Sequence, residues 1–387
     1  MVSFRPIYLA VVLGAGIVML SACEDPSAVG LDLVGTDGGV PVVQRVEFGQ
    51  FTTAPVDGVV ENATVMLAGD VNDPVVGRMN AVGYIDFLEN LVLTQAYKDG
   101  PIDGLLLRLE KASVYGDTSQ TMTFALHEVL DEFTTTGMTP ENLPPVGPEI
   151  LQFSMQPNDD VVLIPLPASF YEAERDTTFR STTFGQSFHG FQIRPVSGSA
   201  IIGFYDTITS QSNLRGIVGT DTVTFLATKG LSAYTRVDSV AVPPGLTVLQ
   251  QGIGPNLLFD FDVNAFEGQS INRAALEITM DTLVFANDPP GFVRPELESL
   301  VLYGVIPDQS PVILAVGAMR DDDVTMDFTS PTFRQALQSI LLGADPFDHY
   351  ELRFLTTTGN TLDTIVLHDT SSVSNPPRLF VTSTPLN

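Results

Sequence analysis

Two short clusters of carboxylate and amide side chains could hold a cation. Asp70, Asn72 and Asp73 form the first cluster, and residues 321–323, all aspartate, form the second. Ca²⁺ takes six to eight oxygen ligands, which such side chains supply when they stand in loops. Neither cluster has the spacing of an EF-hand loop, and both are also typical of turns whose side chains accept backbone N–H groups. We predict a calcium site at Asp70, Asn72 and Asp73, with the turn as the more common role of such a run.

The usual catalytic signatures are missing from the sequence. It contains no Gly-x-Ser-x-Gly nucleophile elbow, no His-Glu-x-x-His zinc motif and no P-loop. His368 and Asp369 stand just before Ser371, but neighbours on one strand do not converge in space as the members of a catalytic triad do. The 46 acidic residues make carboxylate pairs inevitable, so such pairs do not indicate a glycosidase. The sequence therefore predicts a protein that is not an enzyme.

Charge and cysteine content exclude further classes of protein. Acidic residues number 46 against 18 basic ones, which gives a net charge of −28. Such a chain repels a phosphate backbone, so we expect no nucleic-acid partner. The single cysteine excludes a disulfide framework and a cysteine-built zinc site.

The N-terminal residues indicate export. Residues 7–20 form an uncharged apolar run of 14 residues, too short to span a bilayer and typical of the core of a secretory signal peptide. The run ends in Leu20-Ser21-Ala22-Cys23, which resembles the processing box of bacterial lipoproteins. That resemblance implies a signal peptide over 1–22 and lipidation of Cys23, whose acyl chains, palmitate among them, tie it to a membrane. The alternative is an ordinary secretion signal with a spare thiol.

Residues 23–41 are expected to form a flexible tether between the lipid and the folded body. This stretch holds several glycines and few large side chains. The acidic pair Glu24-Asp25 resembles the surface-export signal of some Gram-negative lipoproteins. We therefore expect a lipid-anchored protein of the outer membrane that faces the cell surface.

The rest of the chain shows the alternation of β-strands. Apolar and polar residues alternate in several short runs, which places one face of each strand in a core and the other in water. Pro- and Gly-rich turns separate the runs. The clearest apolar series are Met122, Phe124 and Leu126; Leu257, Phe259, Phe261 and Val263; Leu276, Ile278 and Met280; and Val324, Met326 and Phe328.

These patterns predict a mainly β protein with one or two short helices. One helix is expected after Ser330 as the N-cap, with Pro331 in its first turn and Gly343 at its end. Segments 104–129 and 273–305 look like loose copies of one plan. We predict two tandem antiparallel β-sandwich domains, jelly-roll-like, over 42–230 and 231–387.

The order of several weak motifs resembles an uncharacterised family of bacterial lipoproteins with a domain of unknown function. Its members start with Gly-Leu-Asp-Leu after the lipid cysteine and continue with Gly-x-x-x-Asp-Pro-x-x-Gly. Residues 30–33 and 69–77 correspond to these two motifs. The later segments look like the family's next strand pair, its central Phe-x-Gly segment, and its late Gln-Gly and Ile-Asn-x-Ala motifs. They are residues 105–109 with 115–117, 184–191, 251–254 and 271–274.

The C-terminal run of residues 375–382 is similar to the last strand of the DNRLRE-type β-sandwich of bacterial surface proteins. The motif that names this group is absent here, and so is its usual tryptophan. The resemblance therefore concerns the fold, and neither family supplies a catalytic residue.

The sequence predicts a non-catalytic envelope lipoprotein that acts as a surface scaffold, adhesin or accessory binding protein. Its partners would be the membrane, through the lipid, and an envelope protein or polysaccharide. The alternative is a calcium-assisted glycan-binding module, although the chain has no Trp to form a sugar platform. A polysaccharide hydrolase is the third and least favoured interpretation.

Overall fold

The structure is a computed structural model, which describes the chain in segments. The described residues are 42–46, 52–53, 58–61, 64–88, 90, 92–134, 138–172, 176–207, 212–253, 256–295, 299–355 and 362–386. The predicted signal peptide, Cys23 and the tether lie outside them. In the part of the chain that is described, no helix is long and apolar enough to cross a membrane.

The fold is mainly β and of the β-sandwich type, as the alternation predicted. Every strand pair within the described residues is antiparallel. In chain order the strands are β1 (Val42–Val46), β2 (Thr52–Thr53), β3 (Gly58–Glu61), β4 (Val65–Asp73), β5 (Gly77–Phe87), β6 (Gly104–Asp117), β7 (Met122–Val129), β8 (Val146–Met155), β9 (Val161–Pro165), β10 (Phe191–Ser197), β11 (Ala200–Tyr205), β12 (Asn213–Val218), β13 (Asp221–Arg236), β14 (Leu246–Gln250), β15 (Leu257–Phe259), β16 (Gln269–Thr279), β17 (Phe292–Val293), β18 (Leu300–Val305), β19 (Val312–Met319), β20 (Thr325–Phe328), β21 (His349–Phe354), β22 (Thr364–His368) and β23 (Arg378–Pro385).

The helices are short. They are α1 (Gln95–Asp99), α2 (Ala168–Tyr171), α3 (Asp176–Phe179) and α4 (Pro331–Leu341). Within the described segments, 3₁₀ turns cover Phe184–Gln186, Asn264–Phe266 and Leu283–Asn287.

The first sheet is built from β3 to β13 together with β17, in the order β3-β13-β12-β6-β11-β4-β5-β10-β7-β8, with β9 and β17 paired to β6. Its long strands β6 and β13 change partners along their length, and β13 pairs with both β12 and β5. The run β13-β12-β6-β11-β4-β5 therefore closes on itself. Register shifts, as between Ala227 and Lys229, give the strands the bend that this closure needs.

Phenylalanine fills the interior of the first sheet. Aromatic rings from β10, β13 and the loops before them contact one another, as Phe184 and Phe225 do at 4.5 Å between ring centroids. Burial of large aromatic side chains gives most of the hydrophobic stabilisation of such a core. The fully buried phenylalanines of this core are Phe124, Phe179, Phe184, Phe188, Phe191, Phe204 and Phe225.

The second sheet has the order β1-β23-β16-β20-β19-β18-β21-β15-β2. Helix α4 packs on it through the buried side chains of Phe333, Ala336 and Leu337. As predicted, Ser330 caps the helix by accepting the N–H of Phe333 at 2.9 Å, and Pro331 stands in its first turn.

Two features of the pairing do not follow the predicted division at residue 230. That residue lies within β13, which pairs with β5 on both sides of it and with β3 beyond it. The N-terminal strands β1 and β2 pair with β23 and β15 and so belong to the second sheet. The physical reason is that a strand's hydrogen bonds go to a spatial neighbour, and alternation along the chain does not identify that neighbour.

The strand predicted over 257–263 is shorter than expected. Strand β15 ends at Phe259, and a 3₁₀ turn covers Asn264–Phe266. Phe261 and Val263 are nevertheless buried, as their place in the pattern predicted.

Candidate functional site: the junction of the two sheets

The turn between β4 and β5 lies where the first sheet meets a separate two-stranded sheet formed by β14 and β22. Asp73 ends β4 and is fully buried. One of its carboxylate oxygens, Oδ1, accepts the N–H groups of Val75 at 2.6 Å and Val76 at 3.0 Å. This is the local turn that an Asn-Asp-Pro run favours. Gly77 follows with a φ of +95°, where an added Cβ would lie 2.5 Å from the carbonyl oxygen of Asp238, so glycine is required there.

Arg294 reaches this turn from the second half of the chain. Its Nη1 donates to Oδ2 of Asp73 at 2.5 Å, and its Nη2 donates to Oδ1 at 3.2 Å. Nε and Nη2 also donate to the two carboxylate oxygens of Asp288, at 2.7 and 2.9 Å. A planar guanidinium suits this paired recognition of carboxylates better than an ammonium would. We call Asp73, Asp288, Arg294 and Tyr115, whose hydroxyl donates to Asp73, the junction cluster.

Burial and hydrogen bonds together set the pKa values of Arg294 and Tyr115 in the junction cluster. Desolvation tends to lower the pKa of Arg294, but its hydrogen bonds to Asp288 and Asp73 outweigh that effect and raise the pKa above its ordinary value. Desolvation, followed by the negative charge of Asp73, raises the pKa of Tyr115 well above its usual value. The tyrosine hydroxyl therefore keeps its proton and acts as a donor near neutral pH.

Backbone pairing and aromatic packing hold the same junction. Strand β17 pairs with the end of β6, Phe292 opposite Asp117 and Val293 opposite Gly116. The guanidinium of Arg294 lies over the rings of Phe285 and Phe292, 4.4 and 5.0 Å from their centroids. The second half of the chain is thus attached to the first sheet by hydrogen bonds, an ion pair and packed rings.

A cavity of about 270 Å³ opens beside the junction cluster. Four parts of the chain line it: Pro74 and Val75 from the β4–β5 turn, residues 240–243, Val248 and Val366 from the β14–β22 pair, and Val284, Asn287 and Asp288 from the segment before β17. Val366 is fully buried, whereas Val240 and Val242 are 43% and 38% exposed. The cavity, called the junction pocket below, thus has a buried floor and a solvent-accessible mouth.

The predicted calcium ligands lie at this junction but do not converge. Asp70 and Asn72 project from one face of β4 and Asp73 from the other, because side chains alternate along a strand. Asp70 accepts two hydrogen bonds from Arg78, at 2.9 and 3.0 Å, and one from Asn80. Among the residues that the structure describes, no three Asp, Glu, His or Cys side chains are grouped as a metal site requires. Calcium binding by these residues stays a prediction.

The other candidate side chains also have local partners. In the 321–323 cluster, Asp322 accepts the N–H groups of Val324 and Thr325 and the Thr325 hydroxyl, as in a solvated turn. His368 contacts Ser372 at 3.1 Å, while Asp369 accepts from Ser371. Histidine and aspartate thus contact different serines instead of forming one relay.

Sequence reasoning did not find Arg294 or the junction pocket. Asp73 and Arg294 are 221 residues apart in the chain, and no local pattern relates them. The signal that could have drawn attention to Arg294 is its type. Arginines are few in this acidic chain, and this one stands in the apolar, proline-rich segment 283–295.

Comparisons with known proteins give little to add to this geometry. No family model matches the chain, and no curated protein matches it. Among solved structures, the chain is similar to a Parabacteroides distasonis protein described as a putative secreted protein, with 8% sequence identity and a TM-score of 0.22. The match covers 88% of this chain and 99% of that one. A similarity at that level supports no statement about the function of this chain.

Proposed function

We propose that the protein is a non-catalytic lipoprotein of the bacterial outer membrane that acts as an accessory binding protein or scaffold at the cell surface. The observation that carries the proposal is Cys23, the one cysteine of the chain, placed directly after an apolar run and small residues. Lipidation there would add several acyl chains, and more than one chain is needed for stable anchoring. The resemblance to envelope lipoproteins points the same way.

The junction supports a binding role for the folded body. A buried ion pair attaches the segment around β17 to the end of β4, and the pocket lies beside this attachment, between parts of the chain that are distant in sequence, where ligand sites commonly occur. The charged side chain in the lining of the junction pocket is Asp288, and Arg294 holds both of its oxygens. A carboxylate held in this way is a poor general base, because proton transfer needs a free and suitably tuned group. This favours binding over hydrolysis.

The pairing of β1 also bears on orientation. Strand β1 begins at Val42 and pairs with β23 in the second sheet. A chain that leaves a lipidated Cys23 would therefore enter the body at the second sheet.

The proposal is tested by moving the only thiol. We expect the wild-type chain, expressed in a Gram-negative host, to incorporate labelled palmitate and to partition into the detergent phase. Cys23→Ser should abolish both. The matched control combines Cys23→Ser with Ser27→Cys, which keeps one thiol in the chain but outside the processing box, and it should also remain unlabelled. Label on this control, or an unlabelled wild-type chain in the aqueous phase, would contradict the proposal.

A further inference from the structure

The junction pocket has the size of a small-ligand site. Its volume of about 270 Å³ is nearly twice the ~150 Å³ of an apolar cavity that holds benzene, so it suits a chain of about ten carbon atoms. Its floor is the buried Val366, with the half-buried Val248 and Val75 beside it. A ligand that reaches this floor leaves water for an apolar surface, which is the main source of affinity for such ligands.

The lining selects the type of carbon chain. Its apolar members are valine, proline and alanine, and no aromatic ring is among them. Sugar rings and planar aromatic ligands are commonly bound by stacking on aromatic side chains, which this lining does not offer. Branched aliphatic walls instead contact a flexible alkyl chain along its whole length.

The charges around the junction pocket disfavour an anion. Arg294, which contacts the lining residue Asp288, already donates Nε, Nη1 and Nη2 to Asp288 and Asp73. Arg294 therefore has little capacity left to bind a carboxylate of a ligand, whose charge would have to stay hydrated at the exposed mouth of the pocket. The net charge of −28 adds a repulsion that acts on any anion that approaches.

A polar group at the mouth completes the arrangement. Asn287 is exposed at the rim, and within the described part of the chain its side chain makes no hydrogen bond. A carboxamide both donates and accepts, so it suits a hydroxyl or ester group at the end of a ligand whose chain lies in the pocket.

We infer that the junction pocket binds the alkyl chain of an uncharged amphiphile, with the chain against Val366 and the polar end beside Asn287. The inference names a ligand class for the binding protein proposed above, and it rests on that proposal. An envelope offers such ligands in the form of neutral lipids and acylated, uncharged glycolipids. These two kinds of lipid share an uncharged polar head group and an aliphatic chain.

The test is calorimetric titration with 1-octanol and with octanoate, which has a chain of the same length and a negative charge. The protein is the full chain with Cys23→Ser, so that no acyl group of its own competes, and the result is independent of whether Cys23 is lipidated. Val242→Trp narrows the mouth of the pocket. The matched control is Val312→Trp in β19, since Val312 is 37% exposed and Val242 is 38% exposed.

We expect 1-octanol to bind, and octanoate to bind more weakly by about tenfold or more, because the acidic protein repels its charge and Arg294 offers it no free donor. Val242→Trp should weaken octanol binding by about tenfold or more through steric overlap, while Val312→Trp leaves it unchanged. Thermal unfolding of both variants shows whether they remain folded. The inference is overturned by the absence of octanol binding, by equal binding to the two tryptophan variants, or by equal binding of octanol and octanoate.

Discussion

Replacing Arg294 should lower the free energy of unfolding much more than replacing Arg78. Arg294 forms a buried ion pair, whereas Arg78 forms an exposed one beside the same turn. Arg294→Gln leaves Asp73 charged and fully buried, since Asp73 has no solvent exposure and the Arg294 side chain is only 14% exposed. Breaking a buried pair by removing one partner costs about 3–5 kcal/mol, because the remaining charge has lost its compensation. In Arg78→Gln the lost pair is with Asp70, and the side chains of Arg78 and Asp70 are 52% and 20% exposed. Exposed pairs contribute about 0–1 kcal/mol.

The assay is equilibrium unfolding in urea, with the free energy of unfolding extrapolated to water. Both variants lose one positive charge next to the same turn, so their effects on net charge are matched. A third variant, Arg294→Gln with Asp73→Asn, removes the uncompensated charge but keeps an oxygen that can accept the N–H groups of the turn, and it should recover part of the loss. Equal losses for Arg294→Gln and Arg78→Gln would refute the reasoning, as would a double variant that is less stable than Arg294→Gln.

Two further predictions concern pH. Burial raises the pKa of Asp206 to about 7, and its Oδ2 has no partner in the described structure. An acid with a raised folded-state pKa stabilises the protein at low pH and loses that contribution as the pH rises towards 7. The free energy of unfolding of Asp206→Asn, relative to that of the wild type, should therefore increase by about 2–3 kcal/mol from pH 5 to pH 8. Urea unfolding at the two pH values measures this difference, and an equal difference at both would contradict the prediction. The imidazole of His349 donates to the carboxylates of Asp348 and Glu351, at 2.9 Å each, and these bonds raise its pKa. Its contribution to stability is full below its ordinary pKa and is lost as the pH rises through the raised value. Asp348→Asn should lower the pKa of His349 in an NMR titration, and an unchanged value would show that this contact is absent in solution.

Local features of the fold were predictable because their causes are local. A hydroxyl cap, a proline in the first turn and a stripe of apolar residues specify α4 wherever the helix packs. Period-two alternation likewise places Phe124, Ile278 and Phe328 in cores, since the face of a strand follows from residue parity. All three are buried.

Strand order was not predictable in the same way. The pairing of β1 with β23 joins residues from opposite ends of the described chain, and nothing in either segment specifies the other. The closure of the first sheet depends on register shifts in β6 and β13, which depend on tertiary packing. The division near residue 230, which was inferred from two similar segments, falls inside the long strand β13.

The candidate site shows the same limit. The Asn-Asp-Pro turn was recognisable, and its local hydrogen bonds follow from its residue types. The buried ion-pair partner of Asp73, Arg294, comes from another part of the chain. The junction pocket depends on four segments that meet only in the folded protein, so their separate sequences carry no common pattern.

The mature N-terminus of the native protein tests the central claim most directly. Mass spectrometry of the protein extracted from envelopes of its own cells should find a chain that begins at Cys23 and carries a diacylglyceryl group on sulfur and an acyl group on its amine. A chain with a free Cys23 thiol, or one that retains residues 1–22, would contradict the account of a lipid-anchored envelope protein.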